Sequence, residues 1–164
     1  MSRRVDPALL ERVTRQPFQD ERPRQWEIWK VDDHAVDFTD SPAAYRTPHT
    51  DRWAVVAQAS SVSAAPNCRS VQILPCSSQV KRAQHPLTVV VESAPDGFAK
   101  RSAVIVHLIQ PIKIESLKER MGRLQARDVV AVRRSLARLF DLDHQDARYE
   151  RAKALPPPGG KHRA

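Results

Sequence analysis

The sequence predicts a β-rich α+β domain: a small, strongly bent sheet or partly open barrel closed by a C-terminal helix. Three observations carry this. Apolar runs of four to eight residues, rich in valine and isoleucine, recur between residues 26 and 114. Proline, serine, aspartate and glycine punctuate the gaps between them. A single long pattern at helical spacing appears only after residue 126. With 164 residues, 41% hydrophobic and 28% charged, the chain suits one domain with tails, and about 110 core residues suffice for a stable interior.

Residues 1–23 are charged and mixed. Asp6 is placed to cap a short helix that starts at Pro7 and runs to Val13, and Pro17 and Pro23 mark a linker. Trp26-Glu27-Ile28-Trp29-Lys30-Val31 alternates apolar and polar residues, as an antiparallel strand with one wet face does. Asp32 to Asp51 is a long connection, of the length that tends to carry function. Trp53 to Gln58 is the second strand, Ala59 to Asn67 a loop, and Arg69 to Pro75 the third strand. Lys81-Arg82-Ala83-Gln84-His85-Pro86 is a basic turn. Thr88 to Glu92 is a β-rich run, and Ala94-Pro95-Asp96-Gly97 a turn. Ser102 to Ile109 is a further apolar run. Pro111 to Ile114 reads as a short edge strand, where proline is tolerated. Met121-Gly122-Arg123-Leu124 leads into the helix, expected over Ala126 to Leu142, with Val129, Val132, Leu136, Leu139 and Phe140 inward. Arg133, Arg134 and Arg138 fall on the other side, as a solvated face does. The tail 146–164, with Pro156-Pro157-Pro158-Gly159-Gly160, has no means of packing.

A net charge of +8 favours a polyanionic partner, nucleic acid above all, through phosphate neutralisation and counterion release. No stretch approaches the ~18 apolar residues of a membrane span, and no apolar leader follows Met1, so the expected compartment is the cytoplasm. Cys68 and Cys76 are the two cysteines. In an extended chain they stand roughly 26 Å apart at ~3.3 Å per residue, beyond the ~7 Å reach of a disulfide. Reduced, structural thiols are expected. The six histidines are scattered and the four glycines form no phosphate-cradling loop, so no metal site and no cofactor are expected.

Two polar residues bracket the buried strands. Arg52 opens Trp53-Ala54-Val55-Val56-Ala57, and Ser77 closes Val71-Gln72-Ile73-Leu74-Pro75-Cys76. Both are expected where the strands meet solvent. If the strands are antiparallel neighbours, these ends lie side by side at one rim. A fixed guanidinium beside a hydroxyl suits a phosphodiester, whose non-bridging oxygens the guanidinium pairs.

The collinear series Trp26-Glu27-Ile28-Trp29, Arg52-Trp53-Ala54-Val55-Val56 and Leu74-Pro75-Cys76-Ser77-Ser78 resembles the MazF/PemK family of toxin endoribonucleases. The series continues through Asp96-Gly97-Phe98, Ser102-Ala103-Val104-Ile105, Leu117, Gly122-Arg123-Leu124 and the terminal helix, covering about residues 24–142. The resemblance implies an SH3-like barrel with a long C-terminal helix over 24–145, usually a homodimer. It implies metal-independent cleavage of single-stranded RNA at short sequences, leaving a 2′,3′-cyclic phosphate and a 5′-hydroxyl. A cognate antitoxin is the implied protein partner. The family's catalytic arginine falls at Arg52 and its catalytic threonine at Ser77, where serine keeps the hydroxyl.

The chain departs from the family pattern at several points. Trp53 stands where proline usually follows the arginine. Thr47 stands near the place of a loop glutamate, leaving His49 or Asp51 as candidate acid or base. His107-Leu108-Ile109-Gln110 replaces the segment after the fourth apolar run, and Gln125 replaces a capping serine. Lys81, Arg82, Lys100 and Arg101 are candidates for phosphate contacts, and Phe38 and Tyr45 for base stacking. The tryptophans fit the core better than a base platform. Two other functions fit the same chain: a MazF-like module that binds RNA or protein without cutting, and a gyrase-targeting relative on the same barrel.

Overall fold

The computed structural model describes residues 22–38, 49–81 and 84–142. The expected Asp6–Val13 helix, Tyr45, Thr47, Arg82 and the tail 146–164 lie outside the described residues. Among the described residues seven antiparallel strands form the sheet: β1 Glu27–Asp32, β2 Asp51–Val56, β3 Ser70–Ser77, β4 Thr88–Val91, β5 Ser102–Ile105, β6 Gln110–Lys113 and β7 Leu117–Arg123. Their order is β4-β5-β3-β2-β1-β7, with β6 also on β3. Among the described residues β4 and β7 are the two ends of this order, so the barrel is open rather than closed.

Strand alternation feeds two separate cores. Ile28, Val55, Leu74, Cys76, Val91, Phe98, Val104 and Val106 pack together on one face. Trp29, Val31, Ala54, Val56, Val71, Ile73, Ile112 and Leu117 pack on the other. The near-continuous apolar character of β2 and β3 follows, because both faces of these strands are covered. Trp26 and Trp29 are 8% and 1% exposed, as core tryptophans are.

The Ser102–Ile109 run is not one strand. It is β5 followed by a 3-10 turn at Val106–Leu108, after which β6 begins. Both pieces run antiparallel to β3, β5 against Cys76 and Ser77 and β6 against Ser70 to Ile73. Between them the register slips by three residues. The apolar run is therefore a single β3 partner broken by an insertion, which bends the sheet as a bulge does. Val106 stays in the same core as Val104 although the strand has ended, and every residue of β5 is buried, so the apolar pattern runs on through the turn.

Met121 to Arg123 is the end of β7, not a lead-in to the helix. The run Lys118-Glu119-Arg120 carries no apolar period, so the strand was hidden. Its exposed face is held by charge, as in the Lys30–Glu119 pair at 2.7 Å across the β1–β7 register. The terminal helix spans Ala126–Leu139, with Val132 fully buried and Val129, Leu136 and Leu139 against the first core. It packs on β4 and on the turn after β5. Phe140, expected inward, is instead the helix's end residue and 50% exposed. Arg133, Arg134 and Arg138 are exposed. Gln125 makes no side-chain cap bond; its carbonyl accepts from the Asp128 and Val129 amides. Both cysteines are free thiols, Cys76 buried and Cys68 half-buried.

Candidate active site

Arg52 lies inside β2, opposite Val31 of β1. The β2–β3 ladder pairs Ala54 with Pro75, Val55 with Leu74 and Val56 with Ile73. Continuing that register by two residues sets Arg52 across from Ser77. Alternation puts Arg52 on the Ala54 face and Ser77 on the Pro75 face, the same side of the two strands. The ladder itself ends at Ala54 and Pro75, so the expected side-by-side arrangement is an extrapolation of the register. At Ser77, however, β3 has turned to its other neighbour: Cys76 pairs with Val104 and Ser77 with Ala103 of β5.

Arg52 does not meet solvent as expected. Its side chain is 15% exposed, and its Nε donates to Oδ1 of Asp33. Asp33 is itself buried, with its side chain 7% exposed. The guanidinium carbon sits 4.9 Å above the centre of the Phe38 ring. A cation on an aromatic face contributes about 0.5–2 kcal/mol, depending on desolvation. Phe38, predicted to stack on bases, therefore lends a face to Arg52. Burial and pairing, rather than a free strand end, define this cation.

Local sequence explains the placement of Asp33. β1 ends at Asp32, whose side chain accepts from the His34 amide and caps a 3-10 turn at Asp33–Ala35. The Asp33 carbonyl accepts from Val36, and Val36 is buried. Past the turn, Gln110 of β6 clamps Asp37 twice: its Oε1 accepts from the Asp37 amide at 2.7 Å and its Nε2 donates to the Asp37 carbonyl at 2.9 Å. Sequence reasoning did not single out Asp33. The Asp-Asp doublet at a strand end was the available signal, since one aspartate capping a turn leaves its neighbour to point elsewhere.

Ser77 is half-buried, and its Oγ accepts from the Gln79 amide at 3.1 Å. Asp51 is bound by Lys118, Nζ to Oδ1 at 2.6 Å, and alternation places it on the strand face opposite Arg52. That bond raises the Lys118 pKa from its ordinary value. His49 is exposed just ahead of β2. Lys81 and Lys100 are exposed. Arg101 pairs with Glu92 at 2.9 Å across the ends of β5 and β4. His107, in the turn after β5, stacks on His85 with ring centres 3.7 Å apart, which ties that turn to the loop carrying Lys81. A second buried carboxylate, Glu27, accepts from Arg120 at 2.8 Å and from the Trp29 indole at 3.2 Å. It joins β1 to β7 and has no register with Arg52.

The described residues hold a buried, paired guanidinium at Arg52 and a half-buried hydroxyl at Ser77. The fold that carries them is the one seen in solved MazF toxins. A family profile described as PemK-like, MazF-like toxin of type II toxin–antitoxin systems matches residues 24–140, and the chain belongs to this family. It is similar to the solved MazF of Deinococcus radiodurans at 19% identity, with a TM-score of 0.54 over 74% of this chain and 99% of that one. The Mycobacterium tuberculosis toxin MazF-mt6 matches at 19% identity and a TM-score of 0.52, over 70% of this chain and 96% of that one. An endoribonuclease from a mycobacterial species matches at 11% identity and a TM-score of 0.53, over 74% of this chain and 93% of that one. At these identities the structural likeness speaks for the fold. A search of curated protein sequences finds no match. No helix among the described residues is long and apolar enough to cross a membrane.

Proposed function

We propose that this chain is the toxin of a type II pair and acts as a sequence-specific, metal-independent endoribonuclease on single-stranded RNA. The observation that carries the proposal is Arg52, buried and held by Asp33 and Phe38 on β2, the strand beside the one that ends in Ser77. Membership of the family supports it. In the proposed reaction the ribose 2′-oxygen attacks the adjacent phosphorus in line, and the 5′-oxygen of the next nucleotide leaves. The products are a 2′,3′-cyclic phosphate and a 5′-hydroxyl. Arg52 neutralises charge that builds on the non-bridging oxygens, a contribution that grows toward the transition state. Ser77, whose Oγ accepts from the Gln79 amide, donates its hydroxyl proton to a phosphate oxygen. His49 is the candidate for proton transfer, since an imidazole can both accept and donate a proton. Lys81, Arg82, Lys100 and Arg101 supply sequence-independent attraction for the backbone. The domain acting is 24–145, with 1–23 and 146–164 as appended segments. The proposed protein partners are a cognate antitoxin and a second copy of the chain, and the proposed compartment is the cytoplasm.

The test is incubation of the purified chain with a long single-stranded RNA in EDTA, with product ends mapped. Cleavage that falls at least about 10²-fold in both Arg52→Ala and Ser77→Ala, in variants shown to be folded, is the expected result. RNA that stays intact but is shifted on a gel refutes the nuclease and leaves a binding module. Growth arrest on expression without RNA cleavage points instead to a protein target.

A further inference from the structure

We infer that Asp33 is the positioning residue for Arg52, fixing which edge of the guanidinium meets the scissile phosphate; this rests on the functional reading given above. An arginine side chain has many rotamers, and a loose cation at a strand end spends binding energy on becoming ordered. Here the ordering is already done. The Nε–H is taken by Asp33 Oδ1, and the ring of Phe38 lies 4.9 Å beneath the guanidinium carbon. One contact ties down the Nε edge, and the other sets an aromatic ring against the guanidinium carbon. Because guanidinium is planar, its remaining donors then have set directions.

The support behind these two contacts is anchored independently of Arg52. Asp32 caps the turn that presents Asp33, Val36 is 1% exposed in the second core, and Gln110 clamps Asp37 beside Phe38 from β6. The segment from Asp32 to Phe38 is therefore a preformed bracket, and Arg52 rests in it. A surface ion pair has no such backing and holds its partners weakly. Asp33, at 7% side-chain exposure, is shielded from that screening. Its role is to act through Arg52 rather than on the RNA.

The experiment compares Asp33→Ala and Asp33→Asn with the parent in full-length protein, measuring kcat and KM for RNA cleavage, each also in the Arg52→Ala background. Asp33→Ala is expected to lower kcat about 10²-fold, the cost typical of an ångström-scale misplacement, with KM within about threefold. Asp33→Asn is expected to recover about tenfold of that loss, because its amide oxygen still accepts from Nε–H. With Arg52 already alanine, Asp33→Ala is expected to cost nothing more. An equal further loss in that background, a limb missing from the pH–rate profile, a change confined to KM, or a fall in Tm with kcat intact would each overturn the assignment. If Asp33→Ala does not fold, the asparagine variant carries the comparison. If the parent protein cleaves no RNA, the nuclease reading fails and the bracket is tested alone. In 15N-arginine protein, a slowly exchanging Nε–H assigned by its absence in Arg52→Lys is expected, and its survival in Asp33→Ala overturns the inference.

Discussion

Replacing Gly122 by alanine tests how closely the Asp96–Gly97 turn is seated on β7. Gly122 sits in β7 opposite Ile28 with φ of +157°, and a Cβ there would stand 2.2 Å from the Asp96 carbonyl oxygen and 2.6 Å from its carbon. Ordinary carbon–oxygen contacts lie at about 3.3–3.6 Å, so the turn must recede by about 1 Å. The oxygen it strikes is the one that accepts from the Arg123 amide at 2.7 Å, so relief of the clash breaks that bond. Overpacking against backbone costs about 1–3 kcal/mol and the lost bond about 1 kcal/mol, giving roughly 2–4 kcal/mol. For a domain of this size that is a Tm decrease on the order of 10 °C. Thermal and guanidinium melts followed by circular dichroism measure it. The Asp96–Gly97 turn leads into Phe98, which stacks on Trp53 at 5.5 Å, so near-ultraviolet signals should change as well. Gly97→Ala is the control, since its Cβ would come no closer than 3.3 Å to any neighbour, the Ala94 side chain, with the Arg123 carbonyl at 3.5 Å. A Gly122→Ala protein within about 0.5 kcal/mol of the parent, or one no worse than Gly97→Ala, refutes the reasoning.

Other consequences are open to measurement. Arg52→Ala should lower stability by about 3–5 kcal/mol, because it strands a buried carboxylate at Asp33, and the Arg52→Ala/Asp33→Ala double variant should lose less than the two singles summed in a urea titration. Burial pushes the Cys76 thiol far up, whereas Cys68 is half-exposed, so iodoacetamide at pH 8 should modify one cysteine and spare Cys76 by peptide mass mapping. The folded-state pKa of Lys118 is raised above 10.5 by Asp51. The pair's contribution is therefore present below that value and lost as pH rises through the raised pKa; the Tm difference between the parent and Lys118→Met should vanish there, and also in high salt. Lys81→Ala and Lys100→Ala should each weaken RNA binding and reduce the salt slope by about one, read by filter binding across ionic strengths.

Much of the fold was legible because β1, β2, β3 and β4 obey simple rules. Their apolar residues either alternate or run continuously between strong turn signals. β7 was not legible, because Lys118-Glu119-Arg120 holds its place by cross-strand charge and hydrogen bonding, which leave no hydrophobic period. The break between β5 and β6 was hidden because Val106 is buried in the turn as deeply as Val104 is in the strand. At the candidate site the cation and hydroxyl could be read from their positions beside apolar runs. The bracket could not. Asp33 and Phe38 reach Arg52 through a capped turn and a clamp from Gln110, contacts that join residues 19 and 73 apart in sequence. Asp51, by contrast, sits next to Arg52 in sequence, and strand alternation is what carries it to the other face.

Strand β3 has a seam. Its middle residues, Ile73 to Pro75, belong to β2, while its last two belong to β5. The proposed cation and hydroxyl therefore hang from different flanks: Arg52 from the β1–β2 side, Ser77 from the hairpin of β4 and β5. The gap between them is governed by how sharply one strand bends after Pro75, and not by a ladder hydrogen bond joining the two residues. The arrangement works as a pair of callipers, one jaw clamped by the bracket and the other carried on a four-residue hairpin arm.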